Sequence, residues 1–399
     1  MKQLKTAFIT FCFLCLFLTS CVPGGARPAG GWSGVTYNDG LLYAGSRDGS
    51  IVAVNASARS VEWSYAISMP SKGMSCGQSS ASVPIYSTPA ADKDLVYIGF
   101  YNGKILALNT SVRSQGLPFP QARSGEWIFP RTNETIGEIV GNLVIDKNAI
   151  YVAVASSGDK KGGCKIYSLN KTFGDLNCSP STLGEKCQKL WTTPAIDVDT
   201  IYASTFDGYI YSLSTKDLSL LPWTFKADAG FVSSPAVYQD TIFMGAFDNN
   251  LYAIEIGSSQ PRWKFSGGSW FWATPVVKHG IVYAGCLDGK IYAVNVETGG
   301  LEWEFDTGSS IVSSLVWDGD LLIVASESGG IYIFDTQSEP ENKAMMPVKT
   351  MPIDAVVQGS LCVQDNMIYV RAQDNDLYAL DVEKGWVSWR LPLSITEES

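Results

Sequence analysis

Histidine is almost missing from this chain: one residue, His279, in 399. A zinc site built from Cys and His needs several ligands at short, regular spacing, and the widely spaced cysteines do not supply them. Positive charge is also scarce, with 29 Lys and Arg against 39 Asp and Glu and a formal net charge of -10. Nucleic-acid binding draws its affinity from clustered Lys and Arg on phosphates, and a polybasic approach to an anionic membrane needs the same residues. The composition therefore excludes both as principal partners. No two cysteines are adjacent, and no stretch carries the 3.6-residue apolar period of a useful amphipathic helix.

The first twenty residues differ from everything after them. Lys2 and Lys5 precede "AFITFCFLCLFL", an apolar run too short for a transmembrane helix and of the length of a signal-peptide core. Then come "LTSC", ending at Cys21, and the Gly- and Pro-rich "VPGGARPAGG". This arrangement resembles the lipobox of bacterial lipoproteins, which implies lipidation at Cys21. The expected organisation is a lipoprotein-type signal peptide at 1–20, a flexible tether at 21–31, one folded unit at 32–393 and a polar tail at 394–399. The mature chain is expected to be exported and lipid-anchored to the bacterial cell envelope.

Export makes disulfides permissible. Cys76, Cys164, Cys178, Cys187, Cys286 and Cys362 follow the leader, and Cys164, Cys178 and Cys187 fall in one irregular segment. A bridge between Cys178 and Cys187, closing a short loop, is the expectation. Asn-x-Ser/Thr triplets at Asn55, Asn109, Asn133, Asn170 and Asn177 carry little weight, because so short a motif recurs by chance.

The rest of the chain is one unit written eight times. "STPAADKDLVYIGFYNGKILALN" and "ATPVVKHGIVYAGCLDGKIYAVN" show the pattern: a "PAV" strand A, a "VYAG" strand B, and an "IYAVN" strand C. Pairs such as Asp48-Gly49, Asn102-Gly103, Asp207-Gly208 and Asp288-Gly289 stand between B and C and suit a tight hairpin. A fourth strand D carries Trp63, Trp127, Trp223, Trp263, Trp303 and Trp389 at one repeated place. Eight units of four antiparallel strands, spaced by about forty residues, predict an all-β, eight-bladed β-propeller. The six tryptophans are expected to pack blade on blade. The seventh unit lacks one and runs instead through "TQSEPENKAMMPVKT", which reads as an excursion.

Two columns follow from the alignment. Three residues before the strand A proline position stand Trp32, Tyr86, Val140, Trp191, Val232, Trp272, Val312 and Gln358, a largely apolar ring. Next to strand A stand Gly34, Thr88, Asn142, Thr193, Ser234, Thr274, Ser314 and Ser360, small or polar residues suited to a wet central channel. Trp270 and Phe271, just ahead of Trp272, fall on a connecting loop and are the candidate partner-binding residues.

The combination "YAG-x-x-DG-x-[IL]-YA-[VIL]-[ND]" followed by "TG-x-x-x-W" resembles the pyrroloquinoline-quinone-like repeat of quinoprotein-type propellers. The resemblance implies one of two functions. Family dehydrogenases hold the quinone over the channel. Those of the methanol or ethanol type use adjacent cysteines, a carboxylate base and calcium, and the soluble sugar-oxidising type a catalytic His. This chain has no adjacent Cys pair, and His279 lies in a turn position between strands A and B. The Asp residues of the hairpins repeat because each turn needs one. The other branch comprises exported noncatalytic propellers similar to the BamB-type outer-membrane assembly lipoproteins, and it fits the copy number and the lipobox. The resulting expectation is a monomeric, membrane-tethered, noncatalytic scaffold without cofactor or metal. Its partner is expected to be a protein, with an envelope assembly complex as the leading candidate. A PQQ-dependent alcohol or sugar dehydrogenase and a carbohydrate-binding propeller are the alternatives.

Overall fold

A computed structural model describes residues 31–67, 82–110, 126–155, 163–184, 187 and 189–394. The signal peptide, Cys21, the tether before Gly31, Cys76 and the tail beyond Ser394 lie outside the described residues. The described residues form eight four-stranded antiparallel sheets, each pairing its strands in chain order. Blades 1 to 8 span Val35–Ala66, Ala90–Phe129, Val144–Leu183, Ala195–Lys226, Ala236–Ser266, Val276–Asp306, Val316–Pro352 and Cys362–Pro392. Strands B and C are buried along nearly their whole length, as in Ile281–Gly285 and Lys290–Asn295 of blade 6. Such strands read as continuous apolar runs because both of their faces are covered.

The hairpin between B and C explains the repeat's spacing. In blade 6, Asp288 Oδ1 accepts the Lys290 N–H at 2.9 Å while its Oδ2 accepts the Tyr292 hydroxyl at 2.7 Å. Asp248 with Tyr252 and Asp374 with Tyr378 repeat the second bond at 2.6 Å. Gly289, at φ 90°, supplies the left-handed residue of the turn. Burial first, and the facing carboxylate second, hold these three phenols above their ordinary range. The Asp residues are thus committed to closing turns and capping strand C.

The A–B turns at the opposite end also enter the left-handed region. Val198 does so at φ 51° and is 77% exposed. A β-branched residue is strained there, so Val198→Asn is expected to raise stability by about 1 kcal/mol. A denaturation midpoint that falls or stays put would count against this turn geometry.

Eight apolar clusters fill the eight joints between neighbouring blades. Trp63, Trp127, Trp223, Trp263, Trp303 and Trp389 each lie in or against the cluster joining their own blade to the next. The indole N–H of Trp127 donates to Lys171 O at 3.0 Å, and that of Trp263 to Val296 O at 2.8 Å. Both carbonyls belong to the residue just after strand C of the following blade. In blade 7 the register places Lys349 where other blades have Trp: Ile333 faces Lys349 as Ala293 faces Trp303. Lys349 Nζ then donates to Val382 O at 2.6 Å, the matching carbonyl of blade 8. The excursion that precedes it lies along the outer strand of blade 6, with Glu304 N–H donating to Lys343 O at 3.0 Å and Met345 buried beside Trp303.

The ring closes between blades 8 and 1 by face packing, with Val35, Leu42, Ala379 and Leu393 in one cluster. A different solution is used at one point of this joint. At the other joints the connector residue ahead of the channel ring is large and apolar, and at four of them, Ile85, Ile139, Phe271 and Ile311, it packs on a glycine at the end of strand B: Gly45, Gly99, Gly245 and Gly285. At the closing joint the sizes are exchanged. The connector residue is Gly31, strand B ends at Arg371, and the buried guanidinium donates from Nη1 to Gly31 O at 2.7 Å.

The disulfide corrects the expected pairing. Cys164 bonds Cys187, and Cys178 is a free thiol. Cys164 opens strand C opposite Leu183, and the chain turns at Gly184, whose φ is 58°, to bring Cys187 back beside it. Cys178 is held at the other end of the strand, where Asn177 N–H donates to Ser168 O at 2.9 Å. Two of the Asn-x-Ser/Thr triplets also have a local explanation. Asn55 and Asn170 end strand C, and each Oδ1 accepts two backbone N–H groups of the next turn.

Candidate functional site

The B–C hairpins and the D–A connectors share one face, held by a bond that recurs around the ring. Backbone N–H groups of Tyr101, Phe206, Phe247, Leu287, Glu327 and Gln373 donate to Pro84, Lys189, Gly230, Trp270, Ser310 and Val356 carbonyls, respectively, at 2.7 to 3.3 Å. The donor is always the hairpin residue before the Asp or its equivalent. This position varies in size and polarity from blade to blade, whereas the turn residues after it stay small and turn-forming, and so it gives the face its character.

On blades 4 to 6 the face is aromatic. Trp191 meets Phe206 at 5.3 Å, Phe206 meets Phe247 at 5.3 Å, and Phe247 meets Trp270 at 4.9 Å, all edge to face. Lys189 Nζ stands 4.3 Å over the Trp191 ring. Blades 7 and 8 are polar instead. Gln373 Nε2 donates to Gln358 Oε1 and Gln358 Nε2 to Glu327 Oε1, both at 2.7 Å. The face thus has an apolar arc on blades 4 to 6 and a hydrogen-bonded polar arc on the blades that follow.

Of the two candidate contact residues, only Trp270 belongs to this surface, where it is half-buried. Phe271 is corrected to a core residue with 0% exposure, in the joint between blades 5 and 6. It is packed so closely that a Cβ on Gly245 would lie 1.9 Å from its carbonyl oxygen. The loop carrying both is fastened. Gly267 N–H donates to Asn249 O at 2.9 Å, and Gly268 N–H to Asp288 Oδ2 at 2.8 Å. Beneath it the Cys286 thiol lies 3.3 Å from Ser269 O, and burial pushes its pKa up to about 12. Phe206 and Phe247 were missed as surface aromatics. The signal was present in the residue before each hairpin Asp.

His279 is exposed in the A–B turn of blade 6 at φ 51°, on the face opposite the hairpins. Among the described residues no group of three or more His, Cys, Asp or Glu side chains is placed to hold a metal ion. All eight ring residues from Trp32 to Gln358 line one central cavity of about 110 Å³, together with the hydroxyl-bearing column beneath them.

Fold and repeat together define an eight-bladed propeller of the pyrroloquinoline-quinone-like repeat class. Residues 26–265 and 221–341 match the family described as outer membrane protein assembly factor BamB, and the chain belongs to that family. The crystal structure of BamB from Moraxella catarrhalis is similar at 18% identity and a TM-score of 0.60, over 85% of this chain and 91% of that one. The computationally designed Ika8 protein is similar at 14% identity and a TM-score of 0.62, over 90% and 97%. A designed propeller matching as well as a natural one shows that these likenesses report architecture. No curated protein sequence matches the chain.

Proposed function

We propose that the protein is an exported, noncatalytic scaffold, tethered through lipid on Cys21, that docks a protein of the envelope assembly machinery on its hairpin face. One observation carries the reading. The repeated residues are used up in turns, joints and channel, whereas the hairpin column changes blade by blade and gathers Phe206, Phe247 and Trp270 into one arc. Aromatic anchors beside a polar arc suit a broad protein contact better than a convergent small-substrate site. Membership of the BamB family supports the assembly context. It supplies no residue-by-residue motif for the contact.

Affinity capture from membranes of cells making the lipidated protein tests this. The wild type is expected to recover a β-barrel assembly subunit, and a Phe247→Ala, Trp270→Ala double variant about tenfold less of it while staying folded, with a stability loss of about 1 to 3 kcal/mol. Equal recovery by the variant would remove the arc from the interface. A quinone retained through purification, with dye-linked oxidation of an alcohol or sugar, would overturn the noncatalytic reading.

A further inference from the structure

The central cavity has a chemistry of its own, although Trp191 and Phe206 of the aromatic arc also line it. None of its lining residues is charged. Its collar carries four large aromatic rings, Trp32, Tyr86, Trp191 and Trp272, and one layer deeper lies the column of hydroxyls and one amide. Part of that column is already engaged as acceptors. Asn142 N–H donates to Thr193 Oγ1 at 2.9 Å and Thr193 N–H to Ser234 Oγ at 2.8 Å. These hydroxyls keep their own protons to donate, and no described residue accepts them. The hydroxyls of Thr274 and Ser314 make no hydrogen bond to the described chain. At the collar the Trp191 indole N–H is buried and likewise without a partner among the described residues.

These features select a ligand class. Absence of charge around the cavity disfavours ions. Aromatic faces suit the C–H face of a saturated ring, and a collar of several such faces suits a small ring better than an extended chain. Hydroxyl donors below suit a ligand whose own oxygens accept and donate. The volume of about 110 Å³ holds roughly seven to eleven waters, the scale of a single pyranose. We infer that the channel mouth is a binding site for one neutral sugar ring, seated between the aromatic collar and the hydroxyl column. The ring is either a free monosaccharide or the terminal unit of a glycan.

The test is titration of the purified propeller with glucose, N-acetylglucosamine and a β-1,4-linked tetrasaccharide of each, followed by saturation-transfer NMR and tryptophan fluorescence. Saturable binding of at least one probe in the millimolar range or tighter is expected. A Thr274→Val, Ser314→Ala double variant, which deletes two hydroxyls outside the interblade bonds, should bind at least about tenfold more weakly, and Trp272→Ala should lose binding. Equal affinity for monosaccharide and tetrasaccharide identifies a free sugar, and tighter binding of the tetrasaccharide identifies a glycan end. No saturable binding of any probe, or binding unchanged in both variants, overturns the proposal. The Phe247→Ala, Trp270→Ala variant should bind sugar as the wild type does, so failure here is distinct from failure of the docking reading.

Discussion

Phe271→Ala is expected to destabilise the propeller by about 3 to 5 kcal/mol, and Trp270→Ala, one residue away, by only about 0.5 to 1.5 kcal/mol. Phe271 has no exposed surface and packs edge to face on Phe265 at 6.3 Å and against Tyr292 at 5.6 Å. Its carbonyl and ring lie so close to Gly245 and Gly267 that neither glycine could carry a side chain without movement. Removing the ring leaves a cavity in the joint between two blades, where the surrounding strands are pinned by their ladders and cannot collapse into it. Trp270 loses mainly its contact with Phe247, and its backbone bond to Leu287 survives the change. Urea denaturation of the two variants beside wild type reads the difference. Similar losses for both would show that the loop is not divided into a core residue and a surface residue.

The closing joint gives the second large effect, and it separates volume from charge. Arg371→Ala is expected to cost about 2 to 4 kcal/mol. It empties the space beside Gly31 and leaves that residue's carbonyl without its donor. Arg371→Met keeps most of the volume and removes a buried cation whose Nε and Nη2 have no partner among the described residues. Burial, helped by the nearby Arg47, already lowers the pKa of this guanidinium to about 10. Replacing a poorly compensated buried charge by an apolar side chain of similar size is commonly neutral or stabilising, so Arg371→Met is expected to match or exceed wild type. Thermal denaturation of the three proteins decides. If Met destabilises as much as Ala, the joint depends on the charge and its hydrogen bond to Gly31 rather than on filled space.

Much of this architecture was legible because the repeat makes each position appear eight times. The hairpin Asp-Gly pairs, the strand D tryptophans and the two channel columns could each be read as columns, and the central cavity is lined by the columns so identified. What failed was read outside the columns. The loop position and aromatic neighbours of Phe271 suggest a surface residue. The column that contains it, Ile85, Ile139, Leu190, Phe231, Phe271, Ile311 and Val357, is buried at every member. Loop length favours a Cys178–Cys187 pair, but the register of strands C and D carries Cys178 to the opposite end of the sheet from Cys164. Lys349 could not be found as a tryptophan substitute at all, because its equivalence lies in strand register and in the carbonyl it reaches. The docking surface was only half visible, since surface aromatics gain meaning from neighbours on other blades.

Photo-crosslinking in cells making the lipidated protein tests the docking account most directly, with the crosslinking side chain placed at position 247 on the hairpin face or at position 279 on the opposite face. The account predicts a discrete covalent adduct between position 247 and a protein of the envelope assembly machinery, and none from position 279. Adducts confined to position 279, or no adduct from position 247, would contradict it.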